Sequence, residues 1–302
     1  MNTAADTHRV ERIGDMLCAV GESPVWRASE SALYWLDIIG KKLWRWDAAS
    51  STSQSWELPE RTGCMAMTAD GGWLLAMESA IYRTPRPQAR QALALAQVAA
   101  IDHTEANMRF NDGRCDRQGR FWAGTMVQDM GLASNAGKFY RYTAGAGIVQ
   151  ALDDLIVPNG SAFSPDGRTM YLSDSHPSRQ CVWAFDYDTD SGTPHSRRLF
   201  VDMHEHPGRP DGAAVDVDGG YWICGNDAGL VHRFTPAGKL DRSLRVPAAK
   251  PAMCAFGGSD RDILFVTSIR PASQDLPDAS LDGAVFALNP GTQGIEESVF
   301  AD

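Results

Sequence analysis

No stretch of the 302 residues runs to about 18 consecutive apolar positions, so nothing in the chain reads as a membrane-spanning helix. No block of Lys or Arg stands out either. The 28 basic and 38 acidic residues leave a formal net charge of -10, which argues against duplex or single-stranded nucleic acid as a partner. The start, Met1-Asn-Thr-Ala-Ala-Asp-Thr-His8, has no basic patch followed by an apolar run, and the expectation is a soluble, cytoplasmic protein. Cys18, Cys64, Cys115, Cys181, Cys224 and Cys254 form no Cys-x-x-Cys pair and no zinc-like spacing with His. Reduced thiols acting as small core hydrophobes are expected. There is no Gly-x-Ser-x-Gly elbow and no Cys placed beside a His, which argues against covalent acyl-enzyme chemistry, and no Rossmann glycine fingerprint, which removes the nicotinamide enzymes. No linker divides the chain, and no long segment has a 3.6-residue period.

What is there is a repeat. Ser31-Ala-Leu-Tyr-Trp-Leu-Asp37 and Leu43-Trp-Arg-Trp-Asp47 read as two strands around a Gly40-Lys41-Lys42 turn. A turn followed by an aromatic-rich strand recurs at Asp70-Gly-Gly-Trp-Leu-Leu-Ala76, Gly119-Arg-Phe-Trp-Ala-Gly124, Asp166-Gly-Arg-Thr-Met-Tyr-Leu172, Gly219-Gly-Tyr-Trp-Ile-Cys224 and Asp260-Arg-Asp-Ile-Leu-Phe-Val266. Spaced roughly 40 to 50 residues apart, these are the dimensions of propeller blades. The chain is therefore expected to be all-β, a six-bladed β-propeller of four-stranded blades filling residues 1–302 as a single domain. The Ala- and Gln-rich stretch from Gln88 to Ala100 is the one helix candidate of any length, and reads as a blade edge or loop. A ring must close: Arg9-Val10-Glu11-Arg12-Ile13 alternates like an exposed strand and is expected to pair with the last blade near Gly283 to Leu288. Most of the nine tryptophans fall in the repeated strands and read as inter-blade packing, with Trp26, close behind Glu22, the exception.

Three polar segments stand at periodic positions: Gly21-Glu-Ser-Pro-Val-Trp26, Pro158-Asn-Gly160 and Pro210-Asp-Gly212. Alone, Asn-Gly and Asp-Gly are ordinary turn dipeptides. Placed together at strand ends, they offer two carboxylates and an amide oxygen, a set that suits a hard divalent cation and leaves coordination positions open.

With Arg109-Phe-Asn-Asp-Gly113, Gly124-Thr-Met126, Phe185-Asp-Tyr-Asp188 and Cys254-Ala-Phe-Gly-Gly258, in order along nearly the whole chain, these segments closely resemble the regucalcin (senescence marker protein 30) and gluconolactonase family. The resemblance implies one divalent metal ion at the mouth of the central tunnel (calcium, zinc, manganese, magnesium or iron). It implies hydrolysis of a small-molecule sugar lactone to the aldonic acid by metal-activated water. Glu22, Asn159 and Asp211 would be the metal ligands, Asp211 also the general base, and Arg109 and Asn111 would hold substrate. The family's acidic pair after Gly-Thr-Met is here Val127-Gln128-Asp129, so Asp129 would take the substrate contact with a shorter reach. Asp174 is a further candidate for substrate or supporting contact; His204 and His206 read as solvated. A non-enzymatic calcium-binding propeller is the alternative, although it needs neither Arg109 nor Asn111; hydrolysis of another kind of ester is a third. The expected assembly is a monomer or weak homo-oligomer.

Overall fold

β-branched and aromatic residues fill the repeated runs, Asp, Asn and Gly fill the gaps between them, and the computed structural model pairs these runs into six four-stranded antiparallel sheets. It describes residues 10–272 and 275–301, and there is no α-helix among them. Five sheets take four successive strands each, beginning at Gly21–Arg27, Cys64–Met67, Met108–Cys115, Pro158–Phe163 and Arg209–Val215. These first strands, with Pro251–Gly257 of the sixth sheet, pack against one another, so they surround the axis and their sheets radiate outwards as blades of a six-bladed β-propeller.

The sixth blade is completed from the other end of the chain. Val10–Ile13 is its outermost strand, with Val10 opposite Leu288, Glu11 opposite Ala287, Arg12 opposite Phe286 and Ile13 opposite Val285. The expected ring closure is thus present for these four residues; Arg9 lies outside the described ones. Gln88 to Ala100 contains no helix. It ends in the edge strand Ala96–Ala100 of the second blade, as expected. All six cysteines are free, and all but Cys181 are buried.

Trp35, Trp73, Trp122 and Trp222 are fully buried on the second strands of their blades. Asp216, in the turn before the strand that carries Trp222, accepts from Asp218 N at 3.0 Å, Gly220 N at 2.7 Å and Trp222 Nε1 at 2.8 Å. Asp116 does the same for Gln118, Arg120 and Trp122 in the third blade. An Asp in this turn therefore satisfies both the turn's amides and the indole behind it.

One irregularity positions the site. Inner strands are in regular register in the second blade only; the other five are bulged, between Glu22 and Val25, Phe110 and Gly113, Asn159 and Ala162, Pro210 and Ala213, and Pro251 and Cys254. A bulge inserts one residue and re-aims the side chains beside it. Ser23 and Gly160 take the left-handed conformation at the bulges of the first and fourth blades, with φ of +50° and +61°.

Candidate active site

The bulges lie near the N-terminal ends of the inner strands and aim polar side chains into one pocket of about 280 Å³. Glu22, Arg109, Asn111, Asn159 and Asp211 all line it. Five of the six site residues expected from sequence are thus brought together from four blades. Asp129 is not among the lining residues: it is exposed, and its Oδ1 accepts from Gly131 N at 3.0 Å to cap the short turn Met130–Leu132. Met130 of that turn reaches the pocket instead.

Each donor group is held by a partner that leaves an oxygen with capacity to spare. Glu22 Oε2 accepts from Ser23 N at 3.1 Å. Asp211 Oδ2 accepts from Asn226 Nδ2 at 2.6 Å. Asn159 donates from Nδ2 to Ser175 Oγ at 2.8 Å, and its Oδ1 accepts from Asn111 Nδ2 at 3.1 Å. Ser175 in turn donates to the Pro210 carbonyl, tying the Asn159 side chain to the strand that carries Asp211.

Among the described residues neither Glu22 nor Asp211 has a cationic side chain in ion-pair contact, although both are buried. Desolvation, followed by the charges of Asp211 and Asp112, pushes Glu22 well above the usual carboxylate range. Desolvation likewise lifts Asp211 to about 7 against the pull of Asn226 and Arg209. Buried carboxylates without partners are costly as anions. Two of them beside an amide oxygen fit a hard divalent cation in charge and in donor type. Among the described residues no group of three or more His, Cys, Asp or Glu is placed to hold a metal, so the amide of Asn159 is essential to such a set.

Asp112, next to Asn111, serves the frame: its Oδ1 accepts from Gly113 N at 2.7 Å and its Oδ2 from Ser161 N at 2.8 Å. Arg109 is half-buried. Its Nη1 donates to the Phe110 carbonyl at 2.8 Å and to Asn111 Oδ1 at 2.7 Å, with no carboxylate within ion-pair distance among the described residues. Burial lowers its pKa to about 10, leaving the guanidinium charged at neutral pH. Its remaining N–H groups are available to a ligand in the pocket.

Asp174 is fully enclosed and does not reach the pocket. Its Oδ2 accepts from Ile156 N at 2.8 Å and its Oδ1 from Val157 N at 3.0 Å, so it shapes the chain leading into Pro158-Asn159. His204 is exposed and bonded to Asp202, and His206 packs edge-on to Phe234. Trp26 stacks on Phe265 at 5.4 Å between ring centroids and lines a separate cavity toward the far end of its strand, so it offers this pocket no stacking surface. Sequence reasoning passed over Ser175, Asn226, Arg209 and Lys250, all of which line the pocket.

Residues 20–270 match the family model described as SMP-30/gluconolactonase/LRE-like region. The chain is 37% identical over 286 residues to 6-deoxy-6-sulfogluconolactonase of Pseudomonas putida, covering 93% of this chain and 95% of that one. It is 33% identical to regucalcin of Xenopus laevis, with 86% of each covered. A calcium-binding protein, regucalcin, from Agrobacterium tumefaciens superposes with a TM-score of 0.88 at 25% identity over 98% of both chains. With its six-bladed ring and a match spanning most of its length, this chain belongs to the SMP-30/gluconolactonase/LRE-like family.

Proposed function

We propose that the protein hydrolyses the ring ester of a sugar lactone to the open aldonic acid, with a divalent ion held by Glu22, Asn159 and Asp211. The observation that carries this is the convergence of two buried carboxylates, without an ion-pair partner among the described residues, and a fixed amide oxygen beside Arg109 and Asn111 in one pocket. Lactonases among the relatives, including the enzyme acting on a 6-sulfonated gluconolactone, support the reaction type. When bound, the ion supplies a Lewis acid for the carbonyl and lowers the pKa of water.

The chain's own groups do the rest. Asp211 has one oxygen engaged by Asn226 and the other, Oδ1, with no protein partner among the described residues. Oδ1 is the atom that accepts a proton from the attacking water as its oxygen bonds to the lactone carbonyl carbon. The acyl C–O bond then breaks, the ring oxygen takes up the proton, and the product is the hydroxy acid. Arg109 holds substrate oxygens through its free N–H groups, and Asn111 orients the Asn159 oxygen. Glu22 and Asp211 balance a 2+ ion, so the floor of the pocket is close to neutral when loaded.

The test is hydrolysis of a panel of pentono-, hexono- and aldarolactones by chelator-stripped protein reconstituted with calcium, zinc, manganese, magnesium or iron(II) in turn. Activity confined to metal-loaded protein is the expected outcome; full activity after exhaustive stripping rules the mechanism out. Calcium binding without catalysis, which the Agrobacterium relative's description favours, predicts metal uptake and no hydrolysis of any member of the panel.

A further inference from the structure

The rim of the pocket carries a charge that the chemistry at its floor does not use. Arg209 begins the inner strand of the fifth blade and Lys250 directly precedes that of the sixth; both line the pocket. One carboxylate grips both: Arg209 Nε lies 2.7 Å from Asp227 Oδ2, and Lys250 Nζ bonds Asp227 Oδ1. Asp227 sits in the turn after Tyr221–Asn226 with φ of +75°. The two cationic side chains are only 22% and 23% exposed, so they are set in place and not waving in solvent.

Two cations against one anion leave one positive charge at the rim. Arg109 adds a second, with no direct ion pair among the described residues. The floor would not cancel them in the loaded protein, because the proposed divalent ion would offset Glu22 and Asp211. In a chain of net charge -10, this local surplus is set against the background. Arg209 uses Nε on Asp227 and Nη2 in a long 3.5 Å contact to Asn226 Oδ1. Its Nη1 and the further Lys250 N–H groups have no protein acceptor among the described residues. A guanidinium and an ammonium presented together are matched to the oxygens of a sulfonate, phosphate or carboxylate. Neutral hydroxyls need no such charge, since side-chain amides and backbone groups serve them.

We propose that Arg209 and Lys250 form an anion subsite, and that the preferred substrate is a sugar lactone carrying a sulfonate, phosphate or carboxylate at the carbon outside its ring. The proposal rests on the lactonase reading and adds the substrate class to it. Asp227 holds the two cations at a fixed spacing, and the lactone carbonyl reaches the floor while the anion stays at the rim.

The experiment compares kcat/KM of the manganese-loaded protein for glucono-1,5-lactone, 6-phosphogluconolactone, 6-deoxy-6-sulfogluconolactone and a glucarolactone. The expected anionic-to-neutral ratio is at least about tenfold, expressed mostly in KM and shrinking as ionic strength rises. Which anionic lactone leads identifies the charged group. Arg209→Gln and Lys250→Gln should each cut the ratio by about tenfold, while Arg209→Lys, which keeps the charge, should retain most of it. Equal efficiency on the neutral lactone, or a ratio unmoved in both Gln variants, overturns the proposal and leaves the lactonase reading standing. Hydrolysis of none of the four lactones overturns both.

Discussion

Asn159 and Ser175 are joined by a 2.8 Å bond from the amide Nδ2 to the hydroxyl oxygen, and this bond decides which end of the amide enters the pocket. With nitrogen held on Ser175, Oδ1 is the atom left beside Asn111 and available to a cation. Ser175 also donates to the Pro210 carbonyl, so it has one partner on each side. Ser175→Ala should therefore weaken divalent-metal binding by about 10- to 100-fold, the range seen when a group orienting a metal ligand is removed. Calorimetric titration of the stripped protein checks it, and an unchanged dissociation constant would show that Asn159 is oriented without Ser175.

Arg109 and Asn111, alike as sequence candidates for substrate binding, separate once their bonds are known. Arg109 touches Asn111 Oδ1 and a backbone carbonyl, whereas Asn111 donates to Asn159 Oδ1. Arg109→Ala is expected to lower kcat/KM by at least about tenfold with metal affinity nearly intact, because the contacts proposed for its free N–H groups are to substrate. Asn111→Ala should lower both kcat/KM and metal affinity. Loss of metal in Arg109→Ala, measured by the same titration, would assign the arginine to the metal site instead.

The ring was legible because its causes are local. Asp and Gly close the turns, aromatic strands recur at blade spacing, and the orphan strand Val10–Ile13 exposes Glu11 and Arg12 while burying Ile13 against the last blade. The site was legible as residue types but not in its supports. A bulge is a matter of register between two strands, and the motifs do not state it; Asn159 lies beside its bulge and Asp211 within one. Asp174 looked like a pocket residue because it ends a strand beside Pro158. Asp37 ends the corresponding strand of the first blade and likewise accepts from Ala19 N at 3.0 Å and Val20 N at 3.1 Å. That repeat, an Asp at the end of a blade's second strand holding the lead-in to the inner strand of the same blade, was the available signal. Lys250 had none, since it lies in a loop 23 residues from Asp227 and only the ring brings them together.

Closure of the sixth blade gives a stability prediction. Val10–Ile13 pairs with Val285–Leu288, and Ile13 is 5% exposed in a cluster with Trp35, Phe265 and Val285. Burying an Ile contributes on the order of 2 kcal/mol, before the four-residue ladder is counted. Removal of residues 1–13 should lower the melting temperature by roughly 5 °C or more, and it exposes a sheet edge. An unchanged melting curve would show that the ring is held without this strand.

Metal binding should be linked to pH with a definite sign. In the metal-free protein, desolvation raises Asp211 from 3.8 to about 7, and Glu22 is also raised. The folded state then binds protons more tightly than the unfolded chain, so between about pH 4 and pH 7 Asp211 makes the metal-free protein less stable as pH rises, and the raised Glu22 acts with the same sign. A cation needs the ionised carboxylates, so its affinity should climb as pH rises through this window. The rise in melting temperature on adding a fixed excess of divalent ion should accordingly be larger at pH 8 than at pH 5.5. Equal rises at the two values would mean that both carboxylates are already ionised in the metal-free pocket at the lower pH.

Asp211→Asn separates the proposed ligand role of this residue from its proposed role as base. The substitution keeps an oxygen at the end of the side chain but removes one negative charge and the proton acceptor Oδ1. Asn226 Nδ2, which donates to Asp211 Oδ2 at 2.6 Å, can still find an amide oxygen there, so the fold around the bulge should persist. Metal affinity should fall moderately, from loss of charge, and kcat at saturating metal should fall much further, by on the order of 10² to 10⁴, the usual contribution of a general base. Turnover is measured at metal concentrations shown by titration to fill the variant. Near wild-type kcat under those conditions would make Asp211 a ligand alone and require another group in the pocket to accept the proton, Glu22 being the remaining carboxylate that lines it.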